Sequence, residues 1–211
     1  MGVLIAVAGL LAVAWLFSIP ADFRARRWHH IHIALIAVPF IAAAWAPSGL
    51  ETAASILLMS GGVLLGLCLA AWLAGTALRN HGLMDIAYPL MVLGMAGFAF
   101  SQSASGFSPH SLLLMGLVTL WCVRLVSHAA RTNFKVEQEP YATLRRRYAS
   151  RWFSWSFFAV YALQGMILWV WCAPFAFAMA APSGDLSVAD LIGAGIWIVG
   201  FLFQAVGDWQ L

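Results

Sequence analysis

Long apolar runs alternate with short polar breaks along the whole chain. The runs cover residues 3–19, 31–45, 55–78, 86–100, 112–128, 154–173 and 191–206. Apolar stretches of this length match the hydrocarbon core of a bilayer, which takes about 17–25 helical residues to cross. The pattern therefore predicts an all-α, polytopic transmembrane bundle of about seven helices, forming one integral membrane domain over residues 1–211. The second run is short, so its ends are expected to reach the interface. Trp28, His29, His30 and His32, at and before its start, suit an interfacial belt. Gly62 and Gly66 form a small-xxx-small pair expected to let another helix approach closely. Pro89 is expected in the first turn of its helix, where proline costs little.

Composition sharpens this picture. The chain is 63% hydrophobic and only 9% charged, with mean hydropathy +0.88. Soluble domains carry about 25% charged residues, so part of this protein's solvent is lipid. Net charge +3 does not signal nucleic acid, because the cations are few and flank apolar spans. All eleven Lys and Arg residues lie in or beside the loops at 20–30, 79–85 and 129–153, Arg124 standing just inside its span. The opposite loops hold Glu51, Asp185 and Asp190 and no cation. The positive-inside rule then predicts an outer amino terminus and a cytoplasmic carboxyl terminus. The first 20 residues lack a basic start and read as a retained span. Cys68, Cys122 and Cys172 are isolated in apolar runs and read as packing residues. There is no Walker loop, GxGxxG, HExxH or serine elbow.

The most charged stretch is residues 121–151, which holds seven of the eleven cations. Arg124, His128 and Arg131 are spaced i, i+4 and i+7 and share one helix face. Two readings stand. They snorkel to headgroups, or they form a cationic face for an anionic group, with His128 as proton donor. Glu137, Glu139 and Tyr141 precede Arg145, Arg146 and Arg147, which reads most simply as a solvated helix with i,i+4 ion pairs. Asp85 reads as a helix N-cap in isolation, and Asp208 as an interfacial carboxylate. His29, His30 and His32 lack metal-ligand spacing. Gln164 is expected to hydrogen-bond between helices.

Together these pieces resemble the steroid 5-alpha-reductase-like membrane family, in its bacterial branch. The resemblance starts at Asp85 in DIAYP and runs through Trp121, Arg124-Leu125 and Arg131. It continues at Glu137, Tyr141, Arg145 and Gln164-Gly165, and ends with Asp208-Trp209-Gln210-Leu211. Gln138 stands where the family has Asp, Pro140 where it has Arg, and Gln204 where it usually has Glu. The resemblance covers about residues 80–211. It implies NADPH-dependent reduction of a conjugated carbon–carbon double bond in a steroid-like or other lipid substrate, in a bacterial inner membrane. It implies a cofactor site lined by Arg124, Arg131, Glu137, Tyr141 and Asp208. His128 is the candidate acid by geometry, with Asp85 the second candidate. The family continues past the Asp-x-Gln-Leu element to an Arg-His-Pro-Asn-Tyr pattern that carries much of its cofactor contact. The sequence stops short of that pattern, so a reductase without its full cofactor site, and inactive for that reason, is one expectation. The alternatives are an isoprenylcysteine- or phospholipid-methyltransferase-like enzyme, separable by assays with NADPH against S-adenosylmethionine, and a non-enzymatic scaffold or transporter.

Overall fold

The computed structural model describes residues 2–24, 50–182 and 184–210, and regular structure among them is entirely helical. The second predicted span, with Trp28, His29, His30 and His32, lies outside the described residues. Helix α1 is Gly2–Ser18 and α2 is Ala21–Arg24. Then come α3 Glu51–Ala77, α4 Met84–Ser101 behind a 3₁₀ turn at His81–Leu83, α5 Pro109–Asn133 and α6 Tyr141–Arg147. After them come α7 Trp152–Ser156, a π-helical segment Phe157–Ala162, α8 Leu163–Trp171, α9 Ala173–Ala180 and α10 Val188–Gln210. Among the described residues, five stretches are long and apolar enough to cross a membrane: α3, the 3₁₀ turn with α4, α5, α7 through α9, and α10.

Helix starts and stops follow local chemistry. Ser108 caps α5, its hydroxyl accepting from the Ser111 N–H, and Pro109 takes the first helical position, where its missing N–H costs nothing. The chain reverses after α3 at Arg79, whose φ of 52° is a left-handed conformation usually given to glycine. Pro89 falls a turn deeper than expected, because α4 already begins at Met84. It therefore removes the N–H that would have bonded the Asp85 carbonyl.

The core lies where α3, α4, the π segment and α8 meet. Trp155, Tyr161, Met84, Met91 and Met95 are fully buried there. The predicted close approach at Gly62 and Gly66 is corrected: a Cβ at either would meet nothing within 4 Å among the described residues. The approached glycine is Gly61, one residue earlier and so about 100° round the helix. A Cβ there would stand 2.9 Å from the Trp169 indole nitrogen. Its absence lets that N–H donate to the Leu57 carbonyl at 2.8 Å.

The predicted sixth span is longer and less regular than its apolar run. Within it the π segment widens the helix by one residue, and partners from α3 pack against it. Cys68 Sγ donates to the Tyr161 carbonyl, and Trp72 Nε1 to the Phe153 carbonyl and Ser156 Oγ. The helix breaks at Cys172 and restarts with Pro174 in the first turn of α9, where proline costs little.

Helices α5 and α10 run parallel, joined by polar contacts near both ends. His110 Nδ1 lies 2.9 Å from Asp190 Oδ1 at one end. Trp121 bonds Gln204, and Arg124 pairs with Asp208, toward the other. Helix α10 has no buried residue, which suits a helix facing lipid. Arg151 reaches back to α1, its Nη1 donating to the Phe17 and Ile19 carbonyls, and Arg147 pairs with Asp22.

Candidate functional site

The polar groups converge where the ends of α3 and α5 meet the 3₁₀ turn and α6. Asn80 organises the junction. Its side-chain oxygen accepts from the Gly82 N–H, capping the 3₁₀ turn, and its amide donates to the Asn133 and Phe134 carbonyls. Those carbonyls end α5 and have no helical partner of their own. Asn80 thereby ties α3, the 3₁₀ turn and α5 together.

Asp85 sits in the first turn of α4. It does not cap the helix, as expected from the sequence. Instead it accepts from the Tyr141 hydroxyl at 2.6 Å and from Asn133 Nδ2 at 2.7 Å. Gln164 Nε2 donates to the Tyr141 hydroxyl at 3.4 Å, giving the expected bond between helices. Tyr141 is buried. Burial first, then the hydrogen bond to Asp85, pushes its phenol well above the usual range. The phenol therefore keeps its proton at neutral pH.

Glu137 lies beside this pair. It accepts from the His81 backbone N–H at 2.7 Å and from Arg145 in a bidentate pair at 2.7 and 2.8 Å. Burial acts to raise its carboxyl, but the Arg145 and His81 hydrogen bonds outweigh it and hold the group below the usual range. The expected i,i+4 pairing within a helix is replaced by a different arrangement. Glu137 and Glu139 precede α6, and reach forward eight and seven residues to Arg145 and Arg146. His81 is buried, its Nδ1 2.9 Å from the Tyr161 hydroxyl. Gly75 makes room for that pair, since a Cβ there would collide with the Tyr161 hydroxyl.

The shared face of Arg124, His128 and Arg131 divides in two. Arg124 is tied to α10 by its pair with Asp208 and by Nη2 donating to the Gln204 carbonyl. Its Nη1 is buried without a hydrogen-bond partner among the described residues. Arg131 is exposed and His128 half-buried, and neither side chain bonds another described residue. An orphaned guanidinium nitrogen and two further unengaged basic groups on one helix fit an anionic ligand.

A cleft of about 610 Å³ opens between α4, α5, α9 and α10. Leu114, Trp171, Phe175, Trp197 and Phe201 line it, and Trp121 and Gln204 lie where α5 and α10 approach Arg124. The cleft, Asn80, His81, Tyr161 and Asn133 were not singled out from sequence. Of these only Asn80 with its turn carried a local signal, an Asn before a short helix and a glycine.

A helical bundle with membrane-length apolar helices, an apolar cleft and a separate phenol–carboxylate pair places the chain in the class of integral membrane proteins. Residues 71–211 match the family described as protein of unknown function (DUF1295), and the chain belongs to that family. No curated protein and no solved structure matches the chain.

Proposed function

We propose that the protein is an NADPH-dependent reductase of a conjugated carbon–carbon double bond in a lipid, working at the cytoplasmic face. The observation that carries this reading is the Tyr141–Asp85 hydrogen bond: a protonated phenol, oriented by a carboxylate, at the end of a membrane bundle. The family's association with steroid 5-alpha-reductase-like proteins supports it, as does the order of Asp85, Arg124, Arg131, Glu137, Tyr141 and Asp208 along the chain.

Arg124 Nη1, Arg131 and His128 would hold the phosphates of NADPH, and Asp208 would fix Arg124 in place. When bound, the nicotinamide supplies hydride to the beta carbon of the substrate. With substrate bound, the Tyr141 O–H would turn from Asp85 to the carbonyl oxygen and donate its one proton there, which stabilises the enolate as charge develops. Asp85 and Gln164 hold the Tyr141 hydroxyl in position. Glu137 and Arg145 fix the segment from which Tyr141 projects. His128, first expected to be the acid, serves better as a phosphate contact because it has no orienting partner.

The test is NADPH oxidation by the purified protein in lipid nanodiscs with a 4-en-3-one steroid. The expected result is turnover that falls roughly a hundredfold or more in Tyr141→Phe, with Arg131→Ala weakening NADPH binding by about tenfold or more. Absence of NADPH binding to the wild-type protein, or equal turnover in Tyr141→Phe, refutes the reading.

A further inference from the structure

The polar end of the cleft has a chemical direction. Trp121 lines it, and its indole N–H can only donate. That N–H donates to Gln204 Oε1 at 3.1 Å. The bond decides which way the Gln204 amide faces, since an NH₂ group turned toward the indole would set donor against donor. The oxygen is thus engaged, and Gln204 Nε2 makes no hydrogen bond among the described residues. Gln204 is itself held from behind, its backbone carbonyl accepting from Arg124 Nη2 at 3.1 Å. A fixed amide donor therefore stands in an otherwise apolar wall.

None of the described residues lining the cleft is charged. The nearest cation, Arg124 behind Gln204, is already paired with Asp208, so a charged ligand would leave water there without a free counter-charge, which is costly. A wholly apolar one would leave the Gln204 donor unpaired. A volume of about 610 Å³ is within the range of small-molecule sites, roughly 300–1,000 Å³. Aromatic walls at Trp171, Phe175, Trp197 and Phe201 favour a bulky, rigid body over a single flexible chain.

We infer that the cleft between α4, α5, α9 and α10 is a binding site for a neutral lipid with a bulky apolar body and one hydrogen-bond-accepting oxygen, recognised by the Gln204 amide. The inference deepens the reductase reading, on which it rests for treating such a lipid as substrate. The site itself is argued from the cleft and the Trp121–Gln204 bond. Gln204 is a specificity residue: it selects ligands by their acceptor and takes no part in moving a proton.

The experiment is photolabelling of the protein in nanodiscs, without NADPH. It uses a diazirine-bearing steroid 4-en-3-one, its 3-deoxy twin, and a diazirine phosphatidylcholine as bilayer reference. The expected result is enone labelling concentrated in peptides covering residues 114–121, 171–178 and 197–204, and phosphatidylcholine labelling spread over lipid-facing surfaces. Gln204→Leu should lower enone labelling about five- to tenfold, the size of one lost hydrogen bond, and leave the deoxy twin unchanged. Gly200→Leu provides the second variant. Gly200 lines the cleft, and a Cβ there meets nothing within 4 Å, so the larger side chain should fill space and reduce labelling by both steroids. Labelling elsewhere, equal labelling by phosphatidylcholine, or an enone preference unmoved by Gln204→Leu overturns the inference. A protein that labels as expected but consumes no NADPH refutes the reductase reading alone. One that reduces the enone but labels elsewhere refutes this site alone.

Discussion

Glu137 ties three segments with one carboxylate: the 3₁₀ turn through the His81 N–H, its own loop, and α6 through Arg145. A group held below its usual range stabilises the fold only while ionised. That contribution is complete above the unfolded value of about 4.3, and is lost as pH falls through the lower folded value. Thermal stability in detergent is therefore expected to hold steady from neutrality to about pH 5 and fall at more acid pH. In Glu137→Gln the acid-dependent part should be smaller, with stability already reduced at pH 7; an identical pH profile in the variant would refute this. Asp85, Glu137 and Tyr141 each stood out in the sequence by type and order. Their partners did not. Asp85 and Tyr141 are 56 residues apart, and no periodicity reports a contact made across two loops. Asn133 and His81 looked like ordinary loop residues until the turn placed them beside the carboxylates.

At the scale of elements, the π segment and Gly75 form one device. The wide turn brings Tyr161 against α3, and Gly75 leaves the space in which its hydroxyl meets His81. Besides Tyr161, a Cβ at Gly75 would press on His81 Nδ1 at 3.1 Å and the Asn80 carbonyl at 3.2 Å. The carbonyl belongs to backbone and cannot swing aside. Gly75→Ala is expected to cost about 1–3 kcal/mol, the usual range for overpacking a core, and to lower the melting temperature in detergent; Gly62→Ala, facing open space, should leave it unchanged. The helices themselves were legible because membrane hydropathy is a local property. Their irregularities were not. A π turn has the same composition as the helix around it, and whether Pro174 ends a helix or begins one depends on the break at Cys172. The one-residue error at Gly61 and Gly62 has the same origin: the sequence shows a small residue, and only packing shows which face it serves.

Over the whole molecule, charge and shape agree. Among the described residues the cations Arg79, Arg124, Arg131, Lys135 and Arg145 to Arg151 gather at one end of the bundle, while Glu51, Asp185 and Asp190 stand at the other. Reporter fusions after residues 135 and 150 are expected to report the cytoplasm, and fusions after 105 and 185 the opposite side. Reversed reporters would remove the proposed cofactor from reach, since NADPH is a cytoplasmic molecule. Helix α10 shows how such a bundle can keep an apolar cleft open. It contributes no buried side chain, yet polar contacts to α5 hold it near both ends. The intervening stretch of α5, from His110 to Arg124, is about 21 Å long, a large part of the bilayer core of about 30 Å.

The contact between Arg151 and the end of α1 also sets an order in time. Ile19 and Arg151 are 132 residues apart, and ribosomes add about 5–20 residues per second. The first helix is therefore synthesised on the order of ten seconds before the arginine that fastens it. During that interval the Phe17 and Ile19 carbonyls are without the guanidinium donor that the folded chain gives them.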